Sequence, residues 1–224
     1  MSGIATQAGM LRGGAGEQIV TSGLILHLDA GDSNSYSGSG TTWTDLSGNG
    51  NDGTLVNGAA YSSADGGSIV FDGSNDYVNL GPLQVNTSSG TIGLWINLDS
   101  ITGRFFGRHN DFECRFSGNN LVLDFGSFFK LTSSRSSWSG AWLYVVMTWD
   151  EAGNTSALYV NNTLDSTGTC SSVSALTGDM NLGRSSANNG YINGKMSAFH
   201  SYNRILTATE ITQNFNAFKG RFGL

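Results

Sequence analysis

Acid–base chemistry in this chain of 224 residues would rest on thirteen aspartates and four glutamates. Retaining cleavage of a glycosidic bond needs two carboxyl groups about 5–5.5 Å apart, one as nucleophile and one as acid and base. None of Glu17, Glu113, Glu151 and Glu210 has the companions for such a set. Glu113 comes closest: in Asp111-Phe-Glu-Cys-Arg115 the aspartate shares its strand face, one carboxylate short of a working pattern. Pairing with a neighbouring arginine is the expectation for Glu113. His27, His109 and His200 each stand alone within a strand-like run, and no G-x-S-x-G nucleophile elbow occurs. Gly38–Gly40 lacks the lysine and helix of a phosphate loop. No catalytic residue emerges, and the chain is expected not to be an enzyme.

Two oxygen-rich turns invite a hard cation, which takes ligands from Asp, Asn and backbone carbonyls. They are Asp45-Leu-Ser-Gly-Asn-Gly-Asn-Asp52 and Asp72-Gly-Ser-Asn-Asp76. If the fold juxtaposes them, Asp45, Asn49, Asn51, Asp72 and Asp76 are the calcium ligands to expect. The same residues also suit Asx-turns, in which the side chain bonds its own backbone, so both readings stand. Sugar faces stack on exposed aromatic rings. Tyr36, Trp43, Trp95, Trp138 and Tyr191 lie in or beside polar stretches and are the glycan-binding candidates. Trp95 points away from the apolar stripe of its own strand, whereas Trp142 and Trp149 belong to the core.

These residues need elements to hold them, and the composition describes the elements. Hydrophobic residues make up 38% of the chain, enough for a core, while only 12% are charged. With 32 glycines and one proline, Pro82, the turns fall to Gly, Asn, Asp and Ser. The net charge is −6 without a Lys/Arg cluster, which argues against nucleic acid as a partner. No apolar run reaches the length of a membrane span. Met1–Val20 lacks the basic start and apolar core of a signal peptide, so synthesis in a cytoplasm without export is expected. Cys114 and Cys170 are too few for a disulfide framework and read as two buried thiols, although paired strands could unite them.

Residues 1–20 are glycine-rich and aperiodic, and form an N-terminal arm distinct from a domain over 21–224. An arm without its own core is expected to dock on a neighbouring chain through Ile4, Met10, Leu11, Arg12 and Ile19, or to build a homo-oligomer. Strand signals follow from Gly23. Leu24, Leu26 and Leu28 alternate with Ile25, His27 and Asp29, and Ile92, Leu94, Ile96 and Leu98 mark one face of Thr91–Leu98. Trp142–Trp149 is apolar on both faces. Further runs at Ser68–Asp72, Asp76–Leu80, Arg104–His109, Phe112–Phe116, Leu121–Phe125, Ala157–Asn161, Asp179–Gly183 and Lys195–Tyr202 complete about ten strands, a two-sheet sandwich. Thr207-Ala-Thr-Glu210 is a capping box, and Ile211, Phe215 and Phe218 form the stripe of a helix that ends at Gly220 and covers the sandwich.

Three stretches in this order resemble the concanavalin A-like lectin/glucanase superfamily in its laminin G-like branch. They are LHLDAGDSNSYSGSGTTWTDLSGNGNDGTL within Leu24–Leu55, FDGSNDYV at Phe71–Val78 followed by TIGLWINL, and YNRILTATEITQNFNAFKGRFG at Tyr202–Gly223. The Gly/Ser/Asn-rich wording is similar to versions in tailed-phage structural proteins. The resemblance implies an all-β antiparallel jelly roll with one concave sheet, glycan binding at that sheet and its rim, and calcium nearby. Hydrolases of the superfamily carry E-x-D-x-x-E or E-x-D-x-E on one strand, a pattern this chain lacks. The function expected is therefore a non-enzymatic virion protein, a capsid decoration or tail adhesion module held by its arm to other virion proteins. A lectin for a host surface glycan is the alternative.

Overall fold

The computed structural model describes residues 18–83, 85, 88–108, 112–124, 130–133, 135, 137–170, 178–185 and 190–224. Short apolar runs alternating with small polar residues become strands, because side chains two apart share a face and the Gly/Asn/Asp turns reverse the chain between them. Eight strands make one sheet: β1 (Leu24–Asp29), β4 (Ala60–Ser62), β5 (Ser68–Asp72), β7 (Ser89–Leu98), β12 (Trp142–Asp150), β13 (Thr155–Val160), β14 (Thr163–Gly168) and β16 (Asn193–Tyr202). Their order is β14-β13-β12-β7-β16-β5-β4, with β1 also paired to β16. The second sheet holds β2 (Thr42–Trp43), β3 (Gly53–Val56), β6 (Tyr77–Asn79), β8 (Arg104–Arg108), β9 (Phe112–Ser117), β10 (Asn120–Asp124), β11 (Lys130–Thr132) and β15 (Asn181–Leu182). Its order is β11-β10-β9-β8-β15-β6-β3-β2. Neighbouring strands in both sheets run antiparallel. The expected jelly-roll sandwich is present.

Five strands lay below the reach of the sequence pattern. β2, β3 and β4 span two to four residues inside or beside the Gly/Ser/Asn stretch, too few to display a period. β11 has three residues, and β14, Thr-Leu-Asp-Ser-Thr-Gly, is a polar edge strand.

Between the sheets, Leu94, Ile96, Leu143, Val145 and Met147 meet Leu55, Val78, Phe106, Cys114, Leu123 and Leu182 in one apolar core. Each such side chain contributes about 1.5–3 kcal/mol on burial. Cys114 and Cys170 are both buried thiols.

The helix α1 (Ala208–Lys219) begins as its sequence demands. The Glu210 amide donates to Thr207 Oγ1 at 3.3 Å and the Thr207 amide donates to Glu210 Oε2 at 2.8 Å, so two otherwise orphaned donors are satisfied. Hydrogen bonding from Arg204 pulls the Glu210 carboxyl down to about 2. Ile211, Ala217 and Phe218 press on Trp95, Tyr144, Val146 and Tyr202, the outer face of the first sheet. Beyond the helix, the Arg221 guanidinium grips Asp29 with two bonds of 2.6 and 3.0 Å and ties the end of the chain to β1.

The boundary at residue 20 is corrected. Ile19 and Val20 are buried in the cluster beneath α1. The Val20 amide donates to Asn214 Oδ1 at 2.8 Å, and the Tyr202 hydroxyl donates to the Val20 carbonyl at 3.0 Å. Ile19 is thus a core residue and not part of a docking arm, because an Ile-Val pair beside an apolar helix gains more from burial than from exposure. Ile4, Met10, Leu11 and Arg12 lie outside the described residues.

Candidate functional site

The two sheets differ in what lies on their outer faces. The first is covered by α1, whereas the second presents polar side chains. Strand register aligns these into a row. Thr42 pairs with Thr54, Thr54 with Asn79, Asn79 with Asn181, Asn181 with Gly107, Gly107 with Glu113, and Glu113 with Asp124. The adjoining register, Leu55–Val78–Leu182–Phe106–Cys114–Leu123, is the core row, so the polar row faces outward by the period of two. Across these seven strands, spaced about 4.8 Å apart, the row extends over about 29 Å. Gly107 contributes no side chain, and a Cβ there would stand 2.6 Å from the Phe112 carbonyl oxygen and 3.1 Å from Glu113 Cγ.

A second row beside the first carries Tyr77, Arg104 and Arg115. Arg104 Nε donates to Glu113 Oε2 at 3.0 Å, and Arg115 Nε lies 3.6 Å from the same oxygen. Arg115 Nη2 reaches Asp124 Oδ2 at 3.2 Å. The expected pairing of Glu113 with a neighbouring arginine is therefore present twice over. The Arg184 guanidinium carbon lies over the Tyr77 ring, 3.4 Å from its centroid, and Arg184 Nη1 stands 3.5 Å from the Tyr191 hydroxyl. Asn79 donates to Asp179 Oδ2 at 3.1 Å and accepts from the Gly81 amide. Asn181 is 1% exposed, and its Oδ1 has no hydrogen-bond partner. At the β2 edge a cavity of about 290 Å³ is lined by residues that include Ser33, Ser37, Ser39, Thr41, Thr42 and Thr44.

Most of the aromatic candidates lie elsewhere. Trp43 and Trp95 are fully buried, Trp138 is 2% exposed and Tyr36 4%. Trp95 does point out of its sheet as its parity requires, but Phe215 stacks on it at 5.6 Å and Phe222 at 4.5 Å. The chain's own C-terminal segment occupies the place a sugar would take. Tyr36 packs on Tyr61 and bonds the Gly40 carbonyl, and the Trp138 indole bonds the Arg135 carbonyl. These four rings fill apolar space instead of offering platforms. Tyr191, half-buried, reaches the open face. Tyr77 joins it there unforeseen, although its alternation with core Val78 in the FDGSNDYV stretch was the signal for it.

The carboxylate and amide groups of the two oxygen-rich turns are largely engaged by the chain itself. Asp45 Oδ1 accepts the amides of His27 and Ser47, and its Oδ2 accepts Ser47 Oγ and the Asn51 amide. Asn49 and Asn51 donate their side-chain amides to the β1 carbonyls of Leu24 and Ile25. Asp72 Oδ1 caps the amides of Ser74 and Asn75, and Asp76 Oδ2 accepts the Asp72 amide. The Ser74 amide holds Asp72 below the usual carboxylate range, and burial raises Asp76 above it. Among the described residues no three His, Cys, Asp or Glu side chains stand together to hold a metal. Asp45, Asp72 and Asp76 therefore act as turn builders, their lone pairs mostly used by backbone N–H groups; of their oxygens, Asp76 Oδ1 alone is buried without a partner.

The architecture recurs in known structures, while no curated protein matches the chain in sequence. Domain 4 of AbnA, a GH43 extracellular arabinanase from Geobacillus stearothermophilus solved with arabinotriose, superposes with a TM-score of 0.66 at 20% identity, covering 84% of this chain and 96% of that one. The binding domain of Paraclostridial Mosquitocidal Protein 1 gives 0.67 at 18% identity, covering 87% of this chain and 52% of that one. Trypanosoma rangeli sialidase gives 0.62 at 16% identity over 88% of this chain and 33% of that one. At such identities the likeness concerns the fold. A family model matches residues 72–212, from the turn after β5 into α1, and with this sandwich around it the chain belongs to the concanavalin A-like lectin/glucanases superfamily.

Proposed function

We propose that this chain is a non-catalytic, lectin-like module that binds a surface glycan along the polar row of its open sheet. The observation that carries the reading is the register of Thr54, Asn79, Asn181, Glu113 and Asp124 on one outward face, flanked by Tyr77 and Tyr191. Amides, carboxylates and guanidinium groups held on a rigid sheet suit a ligand with many hydroxyls. The presence of arabinotriose on one structural neighbour and the binding role of the toxin domain support the same reading. Hydrolysis is disfavoured by geometry. Glu113 and Asp124 are cross-strand neighbours, but Arg115 sits between them, 3.6 Å from one and 3.2 Å from the other, where a scissile bond would have to lie. The test is a glycan array probed with the full chain, with and without calcium, beside an Asn79→Ala/Asn181→Ala variant. Binding by the wild type and its loss in the folded variant are expected. Equal binding by both would overturn the assignment of the face.

A second reading, that the module is a virion component anchored through its N-terminus, is favoured by where the chain enters the domain. Gln18, Ile19 and Val20 are fixed beside α1 by bonds to Gln213, Asn214 and Tyr202. That is the side opposite the open sheet, so an anchor formed by residues 1–17 on a capsid or tail neighbour, or in a homo-oligomer, would leave the polar row facing outward. Deleting residues 1–17 should abolish incorporation into particles while the domain stays folded. Normal incorporation would sink the anchor.

A further inference from the structure

We infer that the open face selects neutral glycans over anionic ones, and that Glu113 and Asp124 set this selectivity. The inference rests on the glycan reading of that face and names the ligand class. Arg104 and Arg115, two guanidinium groups of the second row, are the ones a sugar carboxylate or sulfate would seek. Both are already engaged, Arg104 by Glu113 at 3.0 Å and Arg115 by Asp124 at 3.2 Å with Glu113 at 3.6 Å. Two positive and two negative charges thus form a closed set on three adjacent strands. An anionic group entering it must displace a carboxylate and then sit beside it. Like charges forced together oppose binding, so the set works as a repulsive device against the wrong ligand.

Charge elsewhere in the row points the same way. Asn79 has its side-chain amide hydrogen bonded to another carboxylate, Asp179. The far side of the row therefore carries negative charge as well. The row thus offers carboxylate acceptors to hydroxyl groups, and Arg104 and Arg115 are both paired.

The experiment is an array of neutral, sialylated and sulfated oligosaccharides, with heparin as the sulfated probe in solution, read for the full-length wild type and a Glu113→Gln/Asp124→Asn variant. The wild type is expected to bind neutral glycans and to ignore heparin. In the variant the two arginines lose their compensation, and heparin affinity should rise by about tenfold or more and fall again with added salt. Thermal melting confirms that the variant is folded; if it is not, Asp124→Asn alone, at the more exposed partner, carries the test. Preference of the wild type for sialylated or sulfated glycans would overturn the inference and leave the glycan reading intact. A folded variant that gains no heparin affinity would also overturn it. Silence toward every glycan would remove the glycan reading, and this inference with it.

Discussion

The outer faces of the two sheets are built by the same alternation and end in opposite environments. On the covered sheet, Trp95, Tyr144 and Tyr202 point outward and are buried under Ile211, Phe215 and Phe218. On the open sheet, the equivalent outward positions hold Asn79, Asn181, Glu113 and Asp124. The covered face is a second hydrophobic core that fixes the ends of the chain; the other face is polar and carries the ion pairs of Arg104, Glu113, Arg115 and Asp124. On the proposed reading, stability and recognition are divided between the two sides of one sandwich. A residue's outward orientation does not by itself make it a ligand contact.

That division can be broken or sharpened by substitution. Trp95→Ala should have the largest effect, about 3–5 kcal/mol of stability by denaturant unfolding, since it empties the stack between Tyr144 and Phe215. Glycan binding by the molecules still folded should be unchanged. If binding were lost at full stability, the covered face would be the ligand site.

Gly93→Ala comes next. Its methyl would stand 2.7 Å from the Tyr144 hydroxyl and 2.8 Å from His200 Cδ2, an overpacking that costs about 1–3 kcal/mol. A variant as stable as the wild type would show that the covered face repacks freely.

Acid should weaken the covered face selectively. His27 and His200 are cross-strand neighbours under α1, with ring centroids 5.7 Å apart. Both His27 nitrogens and His200 Nδ1 lack partners, while Tyr144 shares a hydrogen bond of 3.2 Å with His200 Nε2. Burial pushes both imidazoles below the ordinary histidine value of 6.5. Asp29, Asp45 and Asp32 pull His27 back up without reversing the shift, Arg221 adds to the lowering, and His27 itself opposes a charge on His200. The unfolded chain therefore binds protons that the fold refuses. Stability is complete above pH 6.5 and declines as pH falls below it, by up to about 1.4 kcal/mol per pH unit for each histidine. His27→Leu should flatten part of that slope in pH-dependent unfolding, and an unchanged slope would relocate its origin.

The smallest stability change is expected from Arg104→Ala on the open face, about 0–1 kcal/mol, because its pair with Glu113 is partly solvated. Its loss should register in ligand binding more than in melting temperature. A large drop in melting temperature would make the open face part of the folding core after all.

Much of this was readable beforehand. The alternation in Thr91–Leu98, the doubly apolar Trp142–Trp149 and the Thr207/Glu210 capping box each announce a strand or helix from neighbours in sequence. The turns of Asp45 and Asp72 were also visible, and their oxygens accept backbone amides. What went astray were the aromatic platforms and Ile19, and the polar row was not foreseen at all. The row joins residues from β6, β15, β8, β9 and β10, whose neighbour relations arise only when distant segments pair.

Local chemistry thus determined which residues are strand, turn and helix, and which side chains share a face, since a period of two and a capping box act over a few residues. Only the tertiary structure decided which outward face would be covered. That choice depends on α1 and Val20 meeting through Asn214 across 194 positions of sequence, and on burial they gain together that neither segment has alone.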